Sequence, residues 1–327
     1  MVLLEVRGIS KLENEKYTAK DISFAQQPSQ KIAVAGETGS GKTTLLKMIA
    51  GLIQPDAGAI YFENKKVLGP FEKLLPGHPS IAFLSQHFEL RNNYRVEEEL
   101  ESKNLLSADE ASNIYRICGI THLLKRKTNQ LSGGERQRIV LAKLLTTSPK
   151  LLLLDEPFSN LDAAHKNIIK SVINDVVTKL NVACIMVSHD GLDTLSWADT
   201  VFVMKEGKII QKGSPEEIYH QPLNEYCAGL FGEYNLISNR NSLLFQTVAA
   251  VKEKGEKILI RPEDFEIVSA ENSLINGIVQ QVSFWGSYYT IDVLIDSELI
   301  RIKLKNKLYE KGDNVSLTSD PRKWWYI

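Results

Sequence analysis

The chain has 327 residues, 43% of them apolar and 24% charged, and a formal net charge of −1, the balance of an ordinary globular protein of about two domains, each able to bury a core. Near neutrality offers no bulk attraction to nucleic acid or anionic lipid, and Cys118, Cys184 and Cys227, without C-x-x-C spacing, argue against a disulfide framework or a zinc site and fit a reducing cytoplasm. No apolar run approaches the ~18–20 residues that span a bilayer, and the charges within Met1–Arg7 interrupt any secretory core, so a function at a membrane has to go through a partner.

Val2–Ile9 and Tyr17–Ala25 read as strands, and Gln27-Pro28-Ser29 turns the chain into a third, Lys31–Ala35. Next comes Gly36-Glu37-Thr38-Gly39-Ser40-Gly41-Lys42-Thr43, followed by the helix-favouring run Thr44–Ala50. This fits G-x-x-x-x-G-K-[ST] at every fixed position, in a strand-loop-helix context. Glycines let the backbone curl its N–H groups around a polyphosphate, and the helix adds its positive N-terminal end. Lys42 would reach the β- and γ-phosphates and the Thr43 hydroxyl would ligate Mg²⁺, so residues 36–43 together with Thr44 are the expected nucleotide contacts.

Ala59–Glu63 and Ser80–Ser85 read as strands, the second ending at Gln86. From His87 to about Asn129 the apolar period becomes helical, with helices near Val96–Leu105 and Ala108–Cys118. Leu131-Ser132-Gly133-Gly134-Glu135 then opens a helix. Ser132 and Glu135 make a capping box, and the two glycines expose N–H groups at a helix N-terminus, a second anion-binding device. One triphosphate cannot easily use both devices of one subunit, which suggests a nucleotide held between two copies. Leu151–Leu154 reads as a buried parallel strand that ends in Asp155 and Glu156, a pair suited to holding Mg²⁺ and activating water. An amphipathic helix over Leu161–Leu180 and a buried strand over Val182–Val187, ending at Ser188-His189-Asp190, complete the alternation expected of a mainly parallel α/β sheet with ligands at its carboxyl edge.

Val201–Met204 and Lys208–Lys212 form a hairpin around Glu206-Gly207, and helices over Pro215–His220 and Leu223–Phe231 close a first domain, 1–232, with a helical subdomain at about 87–146. A linker is expected at 233–242. From 243 to 327, short β-type runs (Lys257–Ile260, Ile275–Ser283, Tyr288–Ile295, Leu299–Leu304) predict a small all-β barrel of the oligonucleotide/oligosaccharide-binding type.

Taken in order, Gly36–Thr43, Gln86, Leu131–Glu135, Leu151–Glu156, Ser159-Asn160-Leu161-Asp162 and His189 resemble the ATP-binding cassette ATPases over about residues 1–232. The resemblance implies ATP and Mg²⁺ as ligands, with Thr43, Gln86 and Asp155 at the metal and Glu156 as general base. Gln86 would sense the metal and the attacking water, His189 would touch the γ-phosphate, Ser132, Gly133 and Gly134 would contact the nucleotide of the opposite subunit, and Asp162 would link the two sites. Ile260-Arg261-Pro262-Glu263-Asp264 and Phe231–Asn235 resemble the barrel and junction of importer ATPase subunits for sugars, polyamines, iron, sulfate or molybdate. This implies a homodimer at the cytoplasmic face of the plasma membrane, peripheral through permease subunits that dock near Gln86–Tyr94 and served indirectly by a solute-binding protein. In that family an aromatic residue stacks on adenine shortly after the position of Ser10-Lys11. Here Leu12 and Glu13 stand there, and Tyr17 is the nearest aromatic candidate. The alternative is a cassette ATPase acting on nucleic acid through Phe284, Trp285, Tyr288 and Tyr289 with Arg301, Lys303, Lys305 and Lys307; the single cassette and the neutral charge speak against it. Those aromatics would otherwise fill the barrel core.

Overall fold

β1 (Leu4–Glu13) turns at Asn14 and Glu15, both at positive φ (48° and 63°), into β2 (Lys16–Gln26). Primed turns of this kind match the twist of paired strands, and β1 therefore runs four residues beyond the Val2–Ile9 expected from sequence. β3 (Lys31–Ala35) leads through the glycine loop to α1 (Lys42–Ile49), which begins two residues earlier than expected. β4 (Ala57–Phe62), the two-residue β5 (Lys65–Lys66) and β6 (Ile81–Leu84) follow. The computed structural model describes residues 2–85, 89–159, 161–238, 257–269 and 275–327, and it divides into two compact units, Met1–Pro215 and Glu216–Ile327.

Further along the first unit lie α2 (Val96–Glu101), α3 (Ala108–Ile117) and α4 (Gly133–Leu145), then β7 (Leu151–Asp155), α5 (Ala163–Leu180), β8 (Ala183–Ser188), the short α6 (Gly191–Leu195), β9 (Thr200–Lys205) and β10 (Lys208–Gly213). The strands form an antiparallel sheet ordered β2-β1-β4-β5 and a second sheet ordered β10-β9-β3-β8-β7-β6. In the second sheet, β9, β3, β8, β7 and β6 are all parallel. Leu151–Leu154 and Ala183–Val187 are buried on both faces, as continuous apolar runs in a parallel sheet should be. The main apolar core lies around β1–β4, α1, β7 and β8. Parallel alignment matters for function: the chain leaves β3, β8, β7 and β6 at one edge, so segments far apart in sequence emerge side by side.

The second unit takes in α7 (Pro215–His220) from Glu216 onward, α8 (Glu225–Leu230), β11 (Asn235–Ile237), β12 (Ile258–Ile260), β13 (Phe265–Val268), β14 (Ile275–Phe284), β15 (Tyr289–Ile295), β16 (Glu298–Leu304), β17 (Asn314–Ser319) and β18 (Trp325–Tyr326). Its antiparallel sheets, β11-β12-β18 and β13-β17-β14-β15-β16, share one apolar core that includes Ile260, Val279, Ile291, Ile302, Leu317 and Trp324. The sequence reading assigns the two helices to the first domain, whereas the structure groups them with the strands. Arg261 is the reason. Only 2% exposed, it donates from Nη1 to the carbonyls of Ala228, Gly232 and Glu233 at 3.2, 3.2 and 3.0 Å and from Nη2 to that of Tyr219 at 2.9 Å. One guanidinium thereby binds both helix ends to β12, and it lies 4.1 Å from the Tyr219 ring centroid. The linker expected at 233–242 is not irregular where it is described: Asn235–Ile237 is strand β11, paired with β12 and with Asn235 and Ile237 buried, because Ile237 joins the core of the second unit. Residues 239–242 and the expected domain start at 243 lie outside the described residues.

Candidate functional site

The glycine loop is pressed against its neighbours at two points. A β-carbon on Gly36 would stand 2.4 Å from the Met204 carbonyl oxygen, and one on Gly41 (φ 100°) 1.8 Å from that of Thr18. At Gly39 (φ 84°) nothing lies within 4 Å of such an atom, so the loop is packed behind and open in front. Gly207 of the β9–β10 turn donates its N–H to the Ser40 carbonyl at 3.1 Å and bolts the hairpin to the loop. Lys42, 5% exposed, donates to the carbonyls of Gly36 and Glu37 at 2.7 and 2.8 Å. Burial lowers its pKa, opposed by the carboxylates of Glu156, Asp155 and Glu37. A desolvated ammonium in a cradle of backbone fits a polyphosphate, whose charge would replace the carbonyl dipoles that hold it.

Thr43 Oγ1 donates to Asp155 Oδ1 at 2.9 Å. Asp155 is 5% exposed, and burial raises its pKa against the Thr43 bond. A hydroxyl and a buried carboxylate side by side are hard oxygen ligands that fit Mg²⁺, which usually takes one or two protein oxygens and completes its shell with phosphate and water. Among the described residues no cluster of three His, Cys, Asp or Glu side chains is placed to hold a metal. Glu156 occupies the left-handed region (φ 49°), uncommon for a residue with a side chain and a conformation that the surroundings must impose. They do so here: its N–H donates to the Val187 carbonyl at 3.1 Å, and its own carbonyl accepts from Ser159 N–H at 3.2 Å and Ser159 Oγ at 2.9 Å. The side chain is thereby turned to His189, whose Nδ1 lies 3.1 Å from Glu156 Oε2. The two line a cavity of about 330 Å³ with Ser159, Lys166 and Asp190.

Ser132 caps α4. Its Oγ accepts from Glu135 N–H at 3.3 Å while Glu135 Oε2 accepts from Ser132 N–H at 2.9 Å, and these bonds with Ser132, the backbone one first, lower the Glu135 pKa. Ser132 and Gly133 are exposed, and nothing lies within 4 Å of a β-carbon on Gly133. The cavity beside them, about 140 Å³, is lined by Gly134, Glu135, Arg138 and His165 among others and by no residue of the glycine loop. Asp162 caps α5, which begins two residues later than the sequence suggests.

Tyr17 is 48% exposed and lines a wide depression with Gly39, Lys16, Lys20 and Lys205. Leu12 pairs with it across the hairpin, so the departure at Leu12 and Glu13 leaves an aromatic face on the neighbouring strand. Thr38 is exposed beside Gly39 and Thr44 half-buried in the first turn of α1. Gln86 lies outside the described residues, as do Phe88 and Asn160. The sequence reading missed Thr18, whose carbonyl packs on Gly41; it names Ser159 only within the Ser159–Asp162 motif and not its bonds to the Glu156 carbonyl, although a Ser three residues after the acid is a local turn signal. Lys166 and Lys170 were also missed. They hold Asp190 and Asp193 at 2.6–3.1 Å and brace the turn that carries His189.

In the second unit, Phe284 and Trp285 are 65% and 56% exposed and do not fill the core, contrary to the simpler expectation. Lys303 Nζ lies 4.4 Å from the Tyr288 ring centroid, and Arg301 is engaged by Asp292 and Glu233. Its charge is answered within the unit, which weakens the basic groove required by the nucleic-acid alternative.

Residues 19–159 match the ABC transporter family and residues 258–327 the TOBE domain. The chain is 31% identical over 335 residues to the spermidine/putrescine import ATP-binding protein PotA of Clostridium acetobutylicum, an alignment covering 97% of this chain and 94% of that protein. Among solved structures, cbiO1 from Clostridium perfringens, part of the ABC transporter complex cbiONQ, superposes with a TM-score of 0.59 at 28% identity, covering 66% of this chain and 90% of that one. The dimeric post-hydrolysis state of the ATP-binding cassette MJ0796 with ADP and Pi is similar in fold, with a TM-score of 0.56 at 23% identity over 65% and 99%.

Proposed function

We propose, from the premise that this chain belongs to the ATP-binding cassette transporter ATPases of importer type, that Lys42, Thr43, Asp155, Glu156 and His189 form one catalytic site, completed by Ser132, Gly133 and Gly134 of a second copy. The chain is the ATP-binding and ATP-hydrolysing subunit of an importer. Among its described residues no helix is long and apolar enough to cross a membrane, and the transport path is assigned to permease subunits. We place the homodimer on them at the cytoplasmic face, with docking near Gln86–Tyr94. A solute-binding protein would deliver the cargo from the other side, and the similarity to PotA favours a polyamine.

The residues divide the work as follows. Gly36–Gly41 present backbone N–H groups to the phosphates, Lys42 supplies a point charge at the β/γ-oxygens, and Tyr17 offers its face to adenine. Mg²⁺, held by Thr43, Asp155 and Gln86, would neutralise charge on those oxygens. Glu156 takes the proton of the attacking water, and His189, within hydrogen-bond reach of that carboxylate, orients it and faces the γ-phosphate. The in-trans role of Ser132–Gly134 is supported above all by one observation: Ser132 and Gly133 are exposed at the N-terminus of α4, with nothing within 4 Å of a β-carbon on Gly133, so the N–H end of this helix is open to an anion from outside the chain. Titration of Lys42→Ala with fluorescent ATP tests the cradle. At least tenfold weaker binding is expected, and wild-type affinity would reject it.

A further inference from the structure

Asp162, which caps α5, and the first turn of α4, which Ser132 caps, are joined by a side chain that no step of hydrolysis calls for. Asp162 Oδ1 accepts the backbone N–H of His165 at 2.9 Å, and Oδ2 lies 2.7 Å from His165 Nδ1. Two bonds to one residue fix the orientation of the carboxylate. The other edge of the same imidazole is turned to α4: a β-carbon on Gly134 would stand 2.9 Å from His165 Cδ2 and 3.7 Å from Cγ. Glycine is therefore needed at 134 to admit this ring. A capping histidine alone would need only Asp162, and a packing residue only bulk. His165 meets both neighbours with opposite edges of a rigid ring.

We propose that His165 is a positioning residue which couples Asp162, at the N-cap of α5, to the first turn of α4. A shift at Asp162 then alters the surface that this chain offers to the nucleotide of its partner. The coupling rests on the reading of Ser132–Gly134 as the in-trans contact.

Two substitutions separate the edges. His165→Asn keeps a donor close to the place of Nδ1 and lacks the edge that touches Gly134. His165→Leu keeps apolar bulk and loses the bond to Asp162. In the full-length chain both should lower kcat for ATP by roughly 3- to 30-fold, the range of coupling through a packed contact. The KM should stay within about twofold, because Lys42 and its cradle are untouched, and the thermal midpoint should hold because Asp162 still caps α5 through the backbone. In a Glu156→Gln background with Mg-ATP, both should raise the protein concentration needed for dimerisation. Wild-type kcat in His165→Asn would reduce the residue to a local cap, and wild-type kcat in His165→Leu would reduce it to filler; either overturns the relay. So would a loss of kcat that comes with collapse of the thermal transition or an equal rise in KM. If Glu156→Gln with His165 intact forms no ATP-dependent dimer, the in-trans reading fails and the relay falls with it.

Discussion

Thr43 and Asp155 stand 112 positions apart in the chain, and their side chains meet at 2.9 Å. The contact follows from the strand order: β3 and β7 both flank β8, all three run parallel, and their carboxyl ends lie in register, with Ala35 beside Ser188 and Asp155 beside Val187. The phosphate loop and the acidic pair are thus placed together by the sheet.

Asp155→Asn keeps the shape and an oxygen for the Thr43 hydroxyl but removes the charge. The Mg²⁺ concentration for half-maximal hydrolysis should rise at least about tenfold, while nucleotide affinity measured without divalent cation stays close to wild type. An unchanged Mg²⁺ requirement would remove Asp155 from the metal site.

Arg261→Met leaves the carbonyls of Tyr219, Ala228, Gly232 and Glu233 without their donor, which should cost the second unit about 3 kcal/mol or more. Calorimetry of the full chain should show one transition moved down and the ATP-responsive transition unmoved. For the same reason, a chain ending at 214 should be better behaved than one ending at 232, which would strand the buried side chains of Ile218, Cys227 and Phe231. Equal solubility and cooperativity of the two truncations would return the helices to the cassette.

Glu99 is buried between Lys143 and Arg91, the latter at 2.6 Å. Burial pushes its pKa up, but the two ion pairs overcome this and the net shift is downward from 4.5. A carboxyl lowered in the folded state stabilises above its unfolded value, and that contribution is lost as pH falls through the lowered one. Glu99→Gln should therefore cost about 1–3 kcal/mol at pH 7. The gap to wild type should narrow below about pH 4.5 in denaturant titrations; a gap independent of pH would contradict the ion-pair account.

Much of the site was legible because its parts are short and local. Gly36–Thr43, Ser132–Glu135 and Leu151–Glu156 each carry a turn, cap or buried strand in consecutive residues. The conformation of Glu156 was not legible, since its positive φ is imposed by Ser159 and by Val187 on another strand. Nor was the ownership of α7 and α8, which depends on Arg261 reaching four carbonyls. Ser10–Glu13 was missed as strand because its polar residues face a partner rather than a core. The exposed Phe284 and Trp285 show the limit of composition: a hairpin tip and a barrel interior draw on the same residue types.

In the proposed dimer, ATP is bound between two copies, with the glycine loop of one facing Ser132–Gly134 of the other. Glu156→Gln should slow hydrolysis by roughly 10²–10⁴-fold and leave binding intact, so that bound ATP persists. Sedimentation of Glu156→Gln with Mg-ATP, on the full chain and on the first unit alone, should then show a dimer that dissociates without nucleotide and fails to form when Ser132→Arg is added. An ATP-bound monomer, or a dimer indifferent to Ser132→Arg, would contradict the account.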